Sequence, residues 1–171
     1  MQGKATFLGH PIHQMLVVFP LGLLGASVAF DWLSMAMSSA QFAVVAHYLI
    51  AAGLIGGVVA APFGLIDWMS IPKGSRAQRL GLMHAVGNVV VLLLFLGSWV
   101  LREPDPTAVP WQAYALAWGG ALVSLMTAWM GGELVDRLGI GVSEGANANA
   151  PSSLSTRQMP ASARTQPINR P

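Results

Sequence analysis

Four stretches of this chain are each apolar for long enough to cross the hydrocarbon core of a bilayer, and that property leaves few folds open. A membrane-spanning helix takes about 20 predominantly apolar residues. Residues 12–36, 42–66, 80–101 and 111–132 meet that length. Charged residues make up only 9% of the chain. A soluble domain carries about 25%, so this chain lacks the polar residues needed to cover a surface facing water.

The links between the runs are short. Ser38-Ser39-Ala40-Gln41 joins the first pair, residues 67–79 the second, and Arg102-Glu103-Pro104-Asp105-Pro106 opens the third. The prolines in the third cannot continue a helix. Short links make sequence neighbours antiparallel, so the expected fold is an all-α, four-transmembrane-helix up-down bundle over residues 1–142. Residues 143–171 are an Ala/Ser/Asn/Pro/Arg mixture, expected to form a disordered cytoplasmic tail. Lys4, the apolar run after it and Ser27-Val28-Ala29 offer a competing reading as a cleaved secretory signal. The run is long for a signal and stays apolar past the cut, so an uncleaved first span is expected.

Lys4, Lys73, Arg76, Arg79 and Arg137 all fall on one side of such a bundle, whereas the other side has Arg102 alone, beside Glu103. Lys and Arg are retained on the cytoplasmic side, which places both termini in the cytoplasm. Trp32, Trp68, Trp99 and Trp111 lie near span ends, as interfacial anchors do. Gly22 with Ala26 and Gly53 with Gly57 are small residues four apart, a spacing that lets helices approach closely in lipid. Pro20 and Pro62 are expected to kink their helices.

Ionisable residues are costly within spans, by at least about 2.5 kcal/mol at a helix centre, so the few present locate any site. Threaded through the topology, His10, His13, Asp67, His84, Asn88, Glu133, Asp136 and Arg137 gather at the end shared by the termini. Asp31 and His47 lie at the other end. His84 and Asn88, four apart, stack on one helix face. His10 and His13 flank Pro11, which favours a first helical turn and would bring the two imidazoles together.

Three readings of these residues compete. They are helix caps and interfacial ion pairs, for example Arg137 with Glu133 at i, i+4. They hold a cofactor: haem b with His13 and His84 as axial ligands, or a transition metal on His10, His13, Asp67 and His84, since imidazole is the common neutral ligand for both. Or they form a proton or ion relay for transport, reaching Asp31 and His47. The cofactor reading is the leading specific one and implies a redox partner protein; without a cofactor the chain is a structural membrane partner subunit.

Other classes, an intramembrane enzyme among them, find less support. Cysteine is absent, so there are no disulfides, thiolate metal sites or Cys nucleophiles. No HExxH, GxSxG or Walker sequence occurs, and no catalytic residue is assigned. No basic block interleaved with aromatics points to nucleic acid. The glycine-lined faces leave room for a homo-oligomer.

Gly9-His10-Pro11-Ile12-His13 leading into Val17-Val18-Phe19-Pro20-Leu21-Gly22, then Gly64-Leu65-Ile66-Asp67-Trp68, His84 with Asn88, Gly131-Gly132-Glu133-Leu134-Val135 and Gly139-Ile140-Gly141-Val142 together resemble the DUF2231 family. The resemblance covers roughly residues 7–142, with Gln14 where the family pattern has a second proline. It implies a four-helix domain of the bacterial inner membrane. Some relatives are fused to Rieske-type iron–sulfur modules, which implies redox chemistry by analogy.

Overall fold

The computed structural model describes residue 1 and residues 3–155. A two-stranded hairpin, β1 (Thr6–Phe7) and β2 (His10–Pro11), leads into a short helix α1 (Ile12–Leu16). Four long helices follow: α2 (Val18–Met37), α3 (Ala40–Met69), α4 (Arg76–Arg102) and α5 (Trp111–Gly132), the last extended by a π-helical turn, Glu133–Arg137. The four membrane-length spans are Ile12–Met37, Ala40–Met69, Arg76–Arg102 and Trp111–Arg137. They run up and down in sequence order. α2 packs on α3, α3 on α4, α4 on α5 and α5 back on α2, so α2 faces α4 across the diagonal.

α3 and α4 overrun their apolar runs at both ends, because polar end residues stay helical when the last turns are capped. Ser75 Oγ accepts from Gln78 N at the start of α4. Ser38 ends α2 in the left-handed conformation, with its N–H on the Ser34 carbonyl, leaving a link of only two residues before α3. Pro20 has no N–H to give the Leu16 carbonyl, and the first span is interrupted at Val17, between α1 and α2. Pro62 lies within α3 without ending it.

The interior is a thin apolar core of Leu24, Ile50, Val91, Phe95 and Ala117, one or two from each helix. The outer faces keep large apolar side chains exposed, among them Ile55, Leu93, Leu125 and Met126, as a surface solvated by lipid requires. Packing rather than the hydrophobic effect must then join the helices. A Cβ on Gly53 would meet Leu24 at 2.6 Å, and one on Gly57 would meet Leu92 at 2.6 Å. Those two positions let α3 approach both of its neighbours. Gly22 has nothing near it and faces outward, so only the second of the two small-residue pairs serves the bundle's own packing.

The hairpin departs from the expected start of the first helix. Leu8 and Gly9 both have positive φ, as the two central residues of a type I′ turn must. This turn holds His10 in β2, exposed, with Pro11 as an extended cap before the helix. Of the tail, residues 143–155 form bends and turns without helix or strand, and residues 156–171 lie outside the described residues.

Candidate functional site

The polar residues separate into two ends with different chemistry. At the end shared by the N-terminus and the π-helical turn, His13 and His84 are each bonded through Nδ1 to a backbone carbonyl of another helix. His13 Nδ1 is 3.1 Å from the Ala60 carbonyl of α3, and His84 Nδ1 is 2.9 Å from the Thr127 carbonyl of α5. A carbonyl only accepts, so each Nδ1 carries the proton and, in the neutral ring, each Nε2 keeps its lone pair. Both rings sit in notches made by glycine: a Cβ on Gly64 would meet the His13 ring at 2.8 Å, and one on Gly131 would meet the His84 ring at 3.2 Å.

Asn88 completes this end. Its amide donates to His84 Nε2 at 3.1 Å and to the His84 carbonyl at 2.9 Å, while its Oδ1 accepts from Thr127 Oγ1 at 3.1 Å. The i, i+4 spacing of His84 and Asn88 therefore does stack them on one face of α4.

Other residues expected at this end serve elsewhere. Asp67 Oδ1 accepts from the backbone N–H of Lys4 and Ala5, at 2.8 and 3.2 Å, and so ties the hairpin segment down over the bundle. The His10 ring faces the tail, with Ser153 Oγ at 3.4 Å from its Nε2. Glu133 pairs with Arg76 of α4 at 2.6 Å rather than with Arg137. The π-helical turn explains that change: the Leu138 N–H bonds to the Glu133 carbonyl five residues back, which widens the turn and breaks the i, i+4 stacking. Asp136 and Arg137 are exposed and line a shallow depression with Trp129, Gly132 and Glu133.

At the opposite end the dominant feature is an ion pair. Arg102 Nη1 and Nη2 donate to Asp31 Oδ1 and Oδ2 at 2.7 and 2.8 Å, and both residues are 0% exposed. Arg102 Nε reaches Ser98 Oγ at 3.3 Å, Ser98 Oγ donates to the Ala113 carbonyl at 2.7 Å, and the guanidinium lies 5.3 Å over the Tyr114 ring. The pair bridges α2 and α4 across the bundle diagonal. His47 is buried beside Trp99, with Nε2 3.5 Å from Glu103 Oε1. Trp32 stacks on Trp118 at 4.8 Å. In the loop that follows, the Thr107 hydroxyl donates to Asp105 at 2.6 Å and holds its carboxyl below the ordinary carboxylate range.

Arg102 is the residue that sequence reasoning misplaced, by counting it as a loop charge. Two signals point to it. Helical side chains lean toward the helix N-terminus, so an Arg ending α4 reaches back into the bundle. It is also the one cation at the depth of Asp31, and intramembrane charges pair.

Among the described residues, no group of three or more His, Asp or Glu side chains lies close enough to hold a metal ion. His10, His13, Asp67 and His84 are thus not gathered into a common ligand set. His13 and His84 remain as two imidazoles, each with Nδ1 fixed on a backbone carbonyl.

No curated protein and no solved structure matches the chain. The family model described as a predicted membrane protein, DUF2231, matches residues 9–144, which span the motifs from Gly9 through His84 to Val142, and the chain belongs to that family.

Proposed function

We propose that this four-span protein is the membrane subunit of an electron-transfer system, holding a haem at the His13 end of the bundle. The observation that carries this reading is the matched pair of imidazoles, each with Nδ1–H on a carbonyl of a facing helix and Nε2 left as the basic nitrogen. That second bond is what orients a ligating histidine and raises its basicity. His13 and His84 would be the ligands, with the Ala60 and Thr127 carbonyls holding their rings. Asn88 would release His84 Nε2 and keep its bond to the His84 carbonyl. When bound, the haem supplies one-electron chemistry, delivered to or taken from a redox partner protein.

The relay reading is less well supported. Proton transfer needs a continuous file of donors and acceptors, whereas the packed core of Leu24, Ile50, Val91, Phe95 and Ala117 lies between the two polar ends. An electron needs no such file.

The same reading places both termini in the cytoplasm of a bacterial inner membrane. With Arg102 buried against Asp31, the described loops at the Asp31 end carry no Lys or Arg at all, while Lys4, Lys73, Arg76, Arg79 and Arg137 crowd the other end. That asymmetry is the one retained on insertion.

The test is an absorption spectrum of detergent-purified protein from cells supplied with iron and haem precursor. The expected result is a Soret band that shifts on reduction and disappears in His13→Ala and in His84→Ala. Wild-type protein that stays colourless overturns the reading; colourless protein that co-purifies with another membrane protein establishes a structural partner subunit instead.

A further inference from the structure

At the Asp31 end of the seam between α3 and α4, two buried nitrogens on stacked rings have no hydrogen-bond partner among the described residues. His47 is 6% exposed and its ring lies against Trp99, with centroids 5.5 Å apart and planes 19° from parallel. Neither His47 Nδ1 nor Trp99 Nε1 has a hydrogen-bond partner. Native structures leave few buried polar atoms unpaired, and two within one stacked pair point to a partner that comes from outside the chain.

The surroundings limit what that partner is. Tyr48 meets His47 edge-on at 5.4 Å and is 68% exposed, so the residue next to His47 on α3 lies on the lipid-facing surface of the bundle. α3 and α4 make less contact than α2 with α3 or α4 with α5, and more than α2 with α5. The walls are aromatic and suit a flat ring. The unpaired groups suit oxygen: Trp99 Nε1–H only donates. His47 points Nε2 toward Glu103, 3.5 Å away. This leaves Nδ1 to accept from a hydroxyl when the ring is neutral and to donate to a carbonyl when it is charged.

We propose that the Asp31 end of the α3–α4 seam binds a flat, lipid-soluble carbonyl compound of the quinone class. His47 and Trp99 bond its oxygens, and their stacked rings form one wall of the site. The same two nitrogens serve both the quinone and its quinol. This site is independent of His13 and His84 and stands whether or not the protein holds a haem.

The test uses the full chain in nanodiscs, titrated with menadione and with 2-methylnaphthalene, which has the same shape and no oxygen. Unfolding temperature is the readout. A saturable rise with menadione and none with 2-methylnaphthalene is expected. Trp99→Phe and His47→Phe each keep a ring and remove a nitrogen, and each should weaken menadione by roughly tenfold, the scale of one lost hydrogen bond. Trp129→Phe, on the lipid-facing side of α5, should bind as wild type does. No saturable rise in the wild type, an equal rise with 2-methylnaphthalene, or undiminished binding by both ring variants overturns the proposal. If either variant fails to fold, the wild-type comparison of the two compounds decides alone.

Discussion

At one end of the bundle Asp31 and Arg102 form a two-pronged ion pair, with Arg102 Nε also on Ser98 and both residues fully out of contact with solvent. At the other end His13 and His84, both half-buried, each spend one ring nitrogen on a backbone carbonyl, and the second nitrogen of His84 accepts from the Asn88 amide. The difference follows from charge. A carboxylate and a guanidinium inside a span are tolerable only when each neutralises the other, so that ion pair is closed and structural. A neutral imidazole can stay in place on a single carbonyl bond, with its other nitrogen able to accept. The ion pair links α2 to α4, whereas the two imidazoles tie their helices only to backbone carbonyls of α3 and α5.

The largest effect should come from breaking the ion pair. Arg102→Ala leaves Asp31 buried without a counter-charge and is expected to cost about 3–5 kcal/mol, measured by SDS-titrated unfolding in mixed micelles. Asp31→Leu combined with Arg102→Met should recover most of that loss, because the penalty lies in the orphaned charge and not in the missing bond.

At the His13 end, Asp67→Asn weakens only the acceptor for the Lys4 and Ala5 amides. The expected cost is about 1 kcal/mol, seen as faster hydrogen exchange at those two amides with the exchange of α2 to α5 unchanged. Exchange that accelerates throughout the bundle would mean that the hairpin supports the helices and does not simply cover them.

The smallest effect should be Arg76→Gln. Its pair with Glu133 is short, but the Arg76 side chain is 59% exposed, and exposed pairs contribute roughly 0–1 kcal/mol. If Arg102→Ala cost no more than Arg76→Gln in the same assay, the contrast between the two ends would fail.

Much of this was legible in the residues. Four apolar runs and short links sufficed for the bundle, its antiparallel order and the level of each polar side chain, because span length and backbone self-satisfaction depend on sequence alone. The pairing of His84 with Asn88 was readable for the same reason: helical periodicity is local. His10 was misplaced because Leu8 and Gly9 adopt a turn that propensity at His10-Pro11 does not reveal. Glu133 and Arg137 were separated by a π-helical turn, which no simple periodicity anticipates.

What the sequence determined by itself, then, is that the chain spans the membrane four times, with its polar groups sorted to the two ends. Which of those groups meet was decided only by the tertiary structure. Asp31 and Arg102 are 71 residues apart and sit on helices that face each other diagonally, and the carbonyls that hold His13 and His84 belong to α3 and α5. Depth in the membrane follows from position along one helix, but contact depends on how each helix is rotated about its axis, and only packing against its neighbours sets that rotation.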